Sequence, residues 1–395
     1  MARRGWSARL LSLLVAFGAC RGDGRPDPHG VSVPVLGEGA LDAAAIERGR
    51  MDPTWRVWAD RDRAARAPHA SYVRPAAPPA EPAPRLPAER YADIRPALVL
   101  RPPRLPVPRT AGPSVLHVQV LLDRARFSPG VIDGHWGKNT AKAVYWFQYR
   151  YGLPPTGTVD SSTYARLEAV AGGGAPLARY RITAADVDGP FTDVPSDIYA
   201  QAELDCLCYE SPGERLAERF HTTPAMLAQL NPGVDPGRLR AGAVLWVPDI
   251  RRARPDTLPD VARIVISKNG FYTQALDADG NILYHFPSTL GSRYAPSPRG
   301  EFHVTDITGS PHFLFQPELF HEVPDDRSEA VLPPGPNSPV GVVWIGLSQP
   351  HYGIHGTAEP ETIGYATSHG CVRLTNWDAQ VLARHAREGT PVEFR

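Results

Sequence analysis

One cysteine near the C-terminus stands among histidines and glycines, and this is where the chain could do covalent chemistry. Cys371 lies in the run Ser368-His369-Gly370-Cys371-Val372-Arg373-Leu374, and His355, in His355-Gly356-Thr357, precedes it by 16 residues. A thiolate is a strong nucleophile, and a nearby imidazole can take and return its proton. These residue types therefore suit nucleophilic catalysis by a cysteine with a histidine as its base.

A helix is predicted directly after this run. Thr375 and Asp378 have the spacing of a helix-capping pair, and the helix is expected to continue to about Glu388. This prediction places Cys371 just ahead of a helix N-terminus, where the dipole would lower the pKa of the thiol. The free backbone N–H groups at such a helix start could also hold an oxyanion.

A zinc site is the alternative use of the same residues. His355, His369 and Cys371 are all of types that coordinate zinc, so a zinc peptidase could be built on them. The sequence places no glutamate as the general base of such an enzyme, and a thiol at a helix start suits nucleophilic use better. We therefore expect neither a metal nor another cofactor.

Short strands are predicted to position these residues, in a mostly-β domain that covers residues 262–395. A hairpin turn at residues 277–281 joins two of the strands, and the stretch from Asp306 to Pro339 is rich in proline and phenylalanine. A connection of that length in a compact domain is usually a lid or a binding loop. The predicted strands are Ile264 to Ser267, Phe271 to Ala275, Ile282 to Phe286 and Gly341 to Leu347.

Two smaller modules precede this domain, so the chain is predicted to be multidomain. Residues 113–171 predict an all-α module of three helices, with the turns Gly130 to Gly134 and Gly157 to Asp160 as an internal repeat. Residues 178–249 predict a strand, two helices and a strand, that is, a small α+β module. We expect the helical module to be separable, so that deleting Ser114 to Val170 would spare the activity of the C-terminal domain.

The second module carries an insertion of about 27 residues, Ala184 to Glu210, after its first strand. Cys206 and Cys208 lie inside it. No second cysteine or histidine pair stands nearby to complete a metal site, so a disulfide or two inert thiols are expected.

The N-terminus has the features of an export signal. Arg3, Arg4 and Arg9 accompany the apolar run Leu10 to Ala19, which is too short to span a bilayer. Residues 1–19 therefore predict a signal peptide. Cys20 directly after Gly18-Ala19 resembles a signal of the bacterial lipoprotein type, in which Cys20 would be lipidated, and an ordinary cleaved signal with an unlipidated Cys20 is the alternative. Residues 20–112 predict a proline-rich and largely disordered linker. The mature chain is then exported to the periplasm or cell envelope on a membrane anchor.

Composition excludes several classes of protein. The 42 Lys and Arg residues balance 42 Asp and Glu residues, which argues against a nucleic-acid partner. With 42% hydrophobic residues the chain has enough apolar residues for real cores, while 43 prolines in 395 residues require long connectors. Four cysteines are too few for a disulfide-rich scaffold.

The C-terminal domain resembles the YkuD-type L,D-transpeptidase catalytic domain. The resemblance implies that Cys371 is the nucleophile and that His355 donates and accepts the proton. It also implies that the N–H groups of Gly370 and Cys371 hold the oxyanion and that further residues around them support the site. The supporting residues are Gly356, Ser368, His369, Gly370 and Arg373. The residues that carry the resemblance are Ser288 to Gly291, Ser297 to Phe302, Ile354 to Thr357 and Ser368 to Leu374.

Two positions depart from the pattern of that family. Arg373 stands where part of the family has Asn, and Ser297 replaces a frequent Thr. Arg373 is interpreted either as holding a substrate carboxylate or as one half of a structural ion pair.

The two smaller modules also resemble known domains. Residues such as Val131 to Gly134, Phe147-Gln148 and Val159-Asp160 resemble the peptidoglycan-binding domain type 1. Leu216 to Phe220, Leu230 to Pro232 and Gly242 to Pro248 resemble a divergent LysM domain, in which the insertion puts glycan binding in question. These resemblances imply peptidoglycan as the partner.

Together the resemblances imply a cell-wall L,D-transpeptidase that acts on tetrapeptide stems, with a neighbouring stem or a lipoprotein as the acceptor. A hydrolase of the endopeptidase or carboxypeptidase type on the same scaffold needs the same Cys371 and His355, so the sequence leaves it open. A non-catalytic wall-binding protein is the remaining alternative.

Overall fold

The computed structural model describes residues 111–252, 260–320, 323 and 327–395. The predicted signal peptide, the predicted lipidation site Cys20 and the predicted proline-rich linker lie outside the described residues. Within that described part, no helix is both long and apolar enough to cross a membrane.

The first described module is built from three helices, as predicted. Each helix begins and ends where local chemistry favours it: Pro113 starts the first, the Asp160 carboxylate accepts the Thr163 N–H at 2.8 Å, and Gly172 ends the third in the left-handed region. The helices are α1 (Pro113–Arg124), α2 (Lys138–Arg150) and α3 (Ser161–Ala171).

The second module has the predicted order of strand, helix, helix and strand, with its insertion after the first strand. The strands β1 (Leu177–Arg181) and β2 (Val244–Pro248) pair antiparallel. Ser211 and Thr223 cap the last two helices of the module, which begin at Pro212 and Pro224, with their hydroxyl groups. The helices are α4 (Ala184–Val187) and α5 (Ile198–Ala202), both in the insertion, followed by α6 (Pro212–Arg219) and α7 (Pro224–Leu230).

The C-terminal domain is built on an eight-stranded sheet with the order β13-β11-β10-β7-β14-β3-β4-β5. Adjacent strands of this sheet pair antiparallel, except that β14 pairs parallel with β3 and β11 pairs parallel with β13. The strands of the sheet are β3 (Arg263–Ser267), β4 (Tyr272–Leu276), β5 (Ile282–Pro287), β7 (Gly300–Gly309), β10 (Val343–Leu347), β11 (Gly353–His355), β13 (Val372–Arg373) and β14 (Pro391–Phe394).

Smaller elements complete this domain. The strands β6 (Leu290–Gly291) and β12 (Thr367–Ser368) pair parallel, and β8 (Phe313–Phe315) pairs antiparallel with β9 (Ala330–Leu332). The β8–β9 hairpin lies within the stretch predicted to be a lid, and residues 311–340 are called the lid below. The last helix, α8 (Asn376–His385), ends before the predicted Glu388, because the extended backbone of Ala386 stops it.

The helical module shares its core with the sheet. Trp146 of α2 is 1% exposed, and its ring lies 5.2 Å from that of Tyr272 on β4. The buried Lys142 donates to the carbonyls of Gly270 and Phe271, and Asn139 donates to the carbonyl of Ile363 at 2.8 Å. Removal of this module would expose apolar side chains of the sheet, so the shared core argues against the expectation that deleting Ser114 to Val170 spares the activity of the C-terminal domain.

The second module is also fixed to its neighbours. Arg124 of α1 donates to the carbonyls of Gly173 and Ala175, both at 2.7 Å, and its guanidinium lies 3.3 Å from the carboxylate of Asp249. The connection between the first two modules is thus held by a buried cation.

Candidate active site

Cys371 lies at one end of the eight-stranded sheet, in the turn between β12 and β13. The strand β13 runs parallel to β11, so that Arg373 lies opposite His355 in the register. The helix α8 begins only at Asn376, with Thr375 as its cap. The prediction that a helix dipole lowers the pKa of Cys371 is therefore wrong, because a strand separates the cysteine from the helix.

The Cys371 thiol is free and faces a turn before β11. Its Sγ lies 3.5 Å from the His351 carbonyl oxygen, and the Gly353 N–H donates to the sulfur. Burial raises the pKa of the Cys371 thiol, and the Gly353 N–H and the Arg373 charge oppose this shift only in part. The resting site therefore holds a neutral thiol rather than the thiolate expected from the sequence.

Two serine hydroxyls hold the backbone of the cysteine turn. Ser368 Oγ donates to the Cys371 carbonyl at 2.6 Å and accepts the Gly370 N–H at 3.2 Å. Ser297 Oγ donates to the Gly370 carbonyl at 2.7 Å and accepts the Gly291 N–H at 2.8 Å. The serine that replaces a frequent threonine thus positions the turn through its hydroxyl, which both residue types carry.

The glycine before the cysteine is required by shape. Gly370 has φ +116°, and a Cβ there would lie 2.8 Å from the ring of Tyr352. Its N–H is already bonded to Ser368, which corrects the prediction that Gly370 supplies an oxyanion donor. For the Cys371 N–H, no bonding partner is found among the described residues.

His355 ends β11 and is almost fully buried. Its Nδ1 lies 2.7 Å from the Gly356 carbonyl oxygen, and its ring stacks on Trp344 with centroids 5.6 Å apart. Burial, followed by the charge of Arg373, lowers the pKa of His355 to about 3. The ring is therefore neutral, and because a carbonyl only accepts, Nδ1 carries the proton and Nε2 is left as a proton acceptor.

Asn376, the first residue of α8, joins three parts of the site. Its Oδ1 accepts the N–H groups of Thr357 and Val342 at 3.1 and 3.2 Å, which ties the chain after His355 to the chain after the lid. Its Nδ2 donates to the Glu218 carboxylate of α6 at 2.8 Å and to the Pro336 carbonyl at 3.1 Å. Every hydrogen-bonding position of this buried amide is used, so its orientation is unambiguous.

A cavity of about 460 Å³ opens over Cys371 and His355. Ser368, His369 and Arg373 also line it, so the structure brings these sequence-predicted site residues together. Gly356 is not part of the cavity lining, but its carbonyl accepts the hydrogen bond that orients the His355 ring. Cys20, the remaining predicted site residue, lies outside the described residues. The other walls are mostly apolar and come from the lid, from Trp344 and from the insertion, through Pro311, Phe313, Leu314, Leu319, Phe320, Pro339, Val340 and Ile198.

Arg373 reaches into this cavity with most of its side chain buried. Burial lowers the pKa of its guanidinium, while the charges of Glu359 and Cys371 act against this shift. Its Nε is buried and has no hydrogen-bond partner among the described residues. Arg373 is therefore a cation with donor capacity to spare, close to the sulfur.

Metal ligation was the alternative use of the cysteine and the two histidines. In the part of the chain that the structure describes, His355, His369 and Cys371 do not converge into a group of three potential metal ligands. The ring of His369 instead packs against Phe320 of the lid, with centroids 4.7 Å apart.

Sequence reasoning missed several residues of the site. Gly353, Asn376 and Ile198 bond or line the site without having been singled out. Ser297 was noted as a departure from the family pattern, but its bond to the cysteine turn was not predicted. The start of α8 was predicted, and its first residue could have been inspected for side-chain bonds. Nothing in the local pattern points to Ile198, which reaches the site from another module.

Sequence comparison identifies two domains. Residues 261–394 match the L,D-transpeptidase catalytic domain family, YkuD, and residues 111–167 match a family described as a peptidoglycan binding domain. A Bacillus licheniformis protein named for L,D-transpeptidase activity, YkuD, is 35% identical over 186 residues, which are 46% of this chain and 94% of that protein.

More distant relatives carry the same kind of name. The Escherichia coli K12 protein "Probable L,D-transpeptidase YbiS" is 29% identical over 188 residues, which are 46% of this chain and 60% of that protein. A crystal structure of an L,D-transpeptidase from Xylanimonas cellulosilytica is 17% identical, with a TM-score of 0.33 over 74% of this chain and 98% of that one. These scores are too low to support an argument about shape, so the assignment depends on sequence. With its matched catalytic domain and its similarity to nearly the whole of the Bacillus protein, the chain belongs to the L,D-transpeptidase family.

Proposed function

We propose that the chain cross-links peptidoglycan by acyl transfer between peptide stems, with Cys371 as the nucleophile and His355 as the base. One observation supports this above all. A free thiol and a neutral imidazole with its Nε2 lone pair available line the same cavity, because His355 ends β11 and Cys371 directly precedes the parallel strand β13. The substrate class is the tetrapeptide stem that the family resemblance implies.

The first step forms a thioester. The Cys371 thiol proton passes to Nε2 of His355 while the sulfur attacks the carbonyl carbon at the L-centre of diaminopimelate. The Cys371 N–H is available to receive the developing oxyanion. The C–N bond to the terminal D-alanine then breaks, and His355 returns the proton to the departing amine.

The resting protonation states constrain how this proton moves. The pKa of His355 is lowered to about 3 and that of Cys371 is raised, so a thiolate–imidazolium pair is unfavourable before substrate binds. Proton transfer is therefore coupled to formation of the sulfur–carbon bond. Arg373 lies close enough to stabilise negative charge on the sulfur as the transfer begins.

The second step transfers the acyl group. The amine of an acceptor stem loses a proton to His355 and attacks the thioester carbonyl, the C–S bond breaks, and the imidazolium returns the proton to sulfur. A lysine amine of a lipoprotein would resolve the thioester by the same chemistry. A peptide bond forms for each one broken, so no external energy source is needed.

Arg373 is proposed to hold a substrate carboxylate. Its buried Nε has no partner, and its guanidinium lines the cavity beside the sulfur. A guanidinium binds a carboxylate through two parallel hydrogen bonds. The stem peptide carries carboxylates close to its reactive carbonyl, so Arg373 would fix its orientation. Ser368, His369 and Gly356 position the cysteine turn, the lid and the imidazole.

The helical module is proposed to hold the enzyme on its polymeric substrate, in line with its match to a peptidoglycan binding domain. Export follows from such a substrate. We further propose that residues 1–19 are cleaved as a signal peptide, that lipidated Cys20 anchors the chain to a membrane of the envelope, and that residues 20–112 act as a spacer. Tethering raises the effective concentration of substrate without new active-site contacts.

Water could resolve the thioester in place of an amine, which would make the chain an L,D-endopeptidase or carboxypeptidase. The mostly apolar walls of the cavity favour an acceptor peptide that excludes water. Transfer is therefore the preferred reaction.

Muropeptide analysis tests the proposal. Purified enzyme is incubated with disaccharide-tetrapeptide, and the products are separated and weighed by mass spectrometry. We expect dimers joined through diaminopimelate together with free D-alanine, and neither product with Cys371→Ala. Monomeric disaccharide-tripeptide without dimers would support the hydrolase, and dimers from Cys371→Ala would contradict the mechanism.

A further inference from the structure

The insertion, residues 184–210, packs against the lid of the C-terminal domain rather than hanging free. Tyr199 of α5 donates through its hydroxyl to the Ser328 carbonyl at 2.9 Å, and its ring meets that of Phe315 edge-on at 6.1 Å. The lid is thus held from its outer side by a helix of the second module.

A second contact holds the base of the lid. The Leu207 N–H donates to the Pro334 carbonyl at 3.1 Å, and the Asn337 N–H donates back to the Leu207 carbonyl at 3.0 Å. Asn337 also donates from its side chain to the Cys208 carbonyl at 2.9 Å. The two backbones approach so closely that a Cβ on Gly335 would lie 2.0 Å from the Leu207 oxygen.

The Leu207 side chain completes this contact. It is fully buried and packs with Phe315 and Leu332, one from each strand of the lid hairpin. Cys206 and Cys208 are joined by a disulfide. Of the two possibilities that the sequence left open, a disulfide or two inert thiols, the structure shows the disulfide. This bond closes the turn that presents Leu207 to the lid, which gives the cysteine pair a structural role.

The insertion also contributes directly to the cavity. Ile198, at the start of α5, lines the same space as Cys371, His355 and Arg373. It stands beside the apolar lid residues Phe313 and Phe320. A side chain that belongs to the second module is therefore part of the wall that a bound stem peptide would meet.

We propose that the insertion is a specificity element of the active site: Leu207 holds the lid in place, and Ile198 forms the part of the cavity wall that selects the stem peptide. This inference rests on the proposed function, because it takes the stem peptide as the occupant of the cavity. The second module then acts on catalysis by shaping the substrate site.

Two variants of the full-length protein test this role. Ile198→Trp fills the cavity wall, and we expect kcat/KM for disaccharide-tetrapeptide to fall about tenfold, as size changes in apolar pockets do. Alkylation of Cys371 by iodoacetamide, which is far smaller than a stem, should keep its wild-type rate. Leu207→Ala should raise KM for the same substrate and speed hydrogen exchange in residues 313–332.

Leu216→Ala is the matched control. Leu216 is as fully buried as Leu207 and lies in the same module, but it packs in the module's own core rather than on the lid. We expect Leu216→Ala to lower the melting temperature while leaving lid exchange and KM unchanged. Equal effects of Leu207→Ala and Leu216→Ala on lid exchange and KM would overturn the proposal.

If Leu207→Ala does not fold, the kcat/KM of Ile198→Trp still tests the proposal on its own. An unchanged kcat/KM for Ile198→Trp would show that the insertion does not select substrate. Failure of the proposed function itself would look different, because wild-type enzyme would then give no thioester-dependent product at all.

Discussion

The two ends of the eight-stranded sheet are covered in different ways. At the β5 end, the helical module packs on the sheet through a shared apolar core, with Trp146 against Tyr272. At the β13 end, the lid and the insertion leave a cavity of about 460 Å³ over Cys371. The first contact stabilises the domain, and the second shapes a site. We therefore expect loss of the helical module to affect folding, and loss of the insertion's contacts to affect the substrate site.

Removing the helical module should have the largest effect. Deletion of residues 113–171 would expose sheet residues such as Val265, Tyr272 and Ile282 that now share a core with it. We expect aggregated or unfolded protein, and loss of activity on soluble muropeptides as well as on sacculi. The milder Trp146→Ala should cost about 3–5 kcal/mol of unfolding free energy, as large-to-small core changes do.

Thermal unfolding followed by circular dichroism and calorimetry checks this prediction. A single transition that shifts as a whole in Trp146→Ala would agree with a shared core. Two separate transitions, or a deleted protein with full activity on soluble muropeptides, would show that the modules are independent after all.

Asn376→Ala should affect the other end of the sheet. The variant leaves the N–H groups of Thr357 and Val342 without their partner. It also removes one of the two side-chain hydrogen bonds to the Glu218 carboxylate, which keeps the one from Tyr209. Unpaired buried groups cost about 1–3 kcal/mol, so we expect kcat to fall about 10- to 100-fold as the chain after His355 loses its position.

A second buried asparagine provides the control for this variant. Asn231 makes three hydrogen bonds inside the second module, to Leu227 and Trp246, and touches no part of the site. Asn231→Ala should lower the melting temperature with kcat close to wild type. If both variants change kcat in proportion to their loss of stability, Asn376 has no positioning role.

Arg373→Gln should change the acidity of the thiol. The Arg373 charge lowers the pKa of Cys371, so its removal should move the alkylation profile of Cys371 upward by about one pH unit, the scale of a nearby charge. Rates of iodoacetamide alkylation between pH 7 and 11 measure the shift. Arg373→Lys, which keeps the charge, should restore the profile, and an unchanged profile in Arg373→Gln would refute the coupling.

The smallest effect on activity should come from Lys142, in the packed end of the sheet. Burial lowers the pKa of Lys142 from 10.5 to about 7. The unfolded chain then binds more protons between these values, so stability should rise with pH from 7 to 10 by about 1.4 kcal/mol per pH unit. Asp378, with its pKa raised to about 7, is still partly protonated near pH 7 in the folded chain only, so it opposes this rise below about pH 8 and leaves the Lys142 slope undiminished above it.

Lys142→Met should remove that rise. Denaturant unfolding at pH 7, 8 and 9 gives the slope for both proteins, and an equal slope in the variant would show that another group is responsible. Activity per folded molecule should stay near wild type, because Lys142 contacts Gly270 and Phe271 rather than the cavity.

Sequence predicted the parts of this molecule that depend on local patterns. The spacing of His355 and Cys371, the cap of α8 at Thr375 and the three helices of the first module could all be read from neighbouring residues. The acidity of Cys371 was predicted wrongly because β13 is only two residues long, too short for a recognisable strand pattern. The helix was predicted correctly, but its distance from the sulfur was not.

Contacts between modules were beyond prediction for a different reason. Leu207 meets Pro334, and Glu218 meets Asn376, across more than a hundred positions of the chain. No periodicity or motif links such residues, and a single sequence carries no record of which ones vary together. The sequence therefore contains no sign that the insertion contributes to the active site, although its residue Ile198 forms part of the cavity wall.

Trapping of the acyl-enzyme tests the central claim most directly. The protein is mixed with disaccharide-tetrapeptide, quenched in acid, digested and examined by mass spectrometry. We predict one adduct, on the peptide that contains Cys371, with the mass of the substrate acyl group after loss of D-alanine. An adduct on another residue, or turnover by Cys371→Ala, would contradict the account.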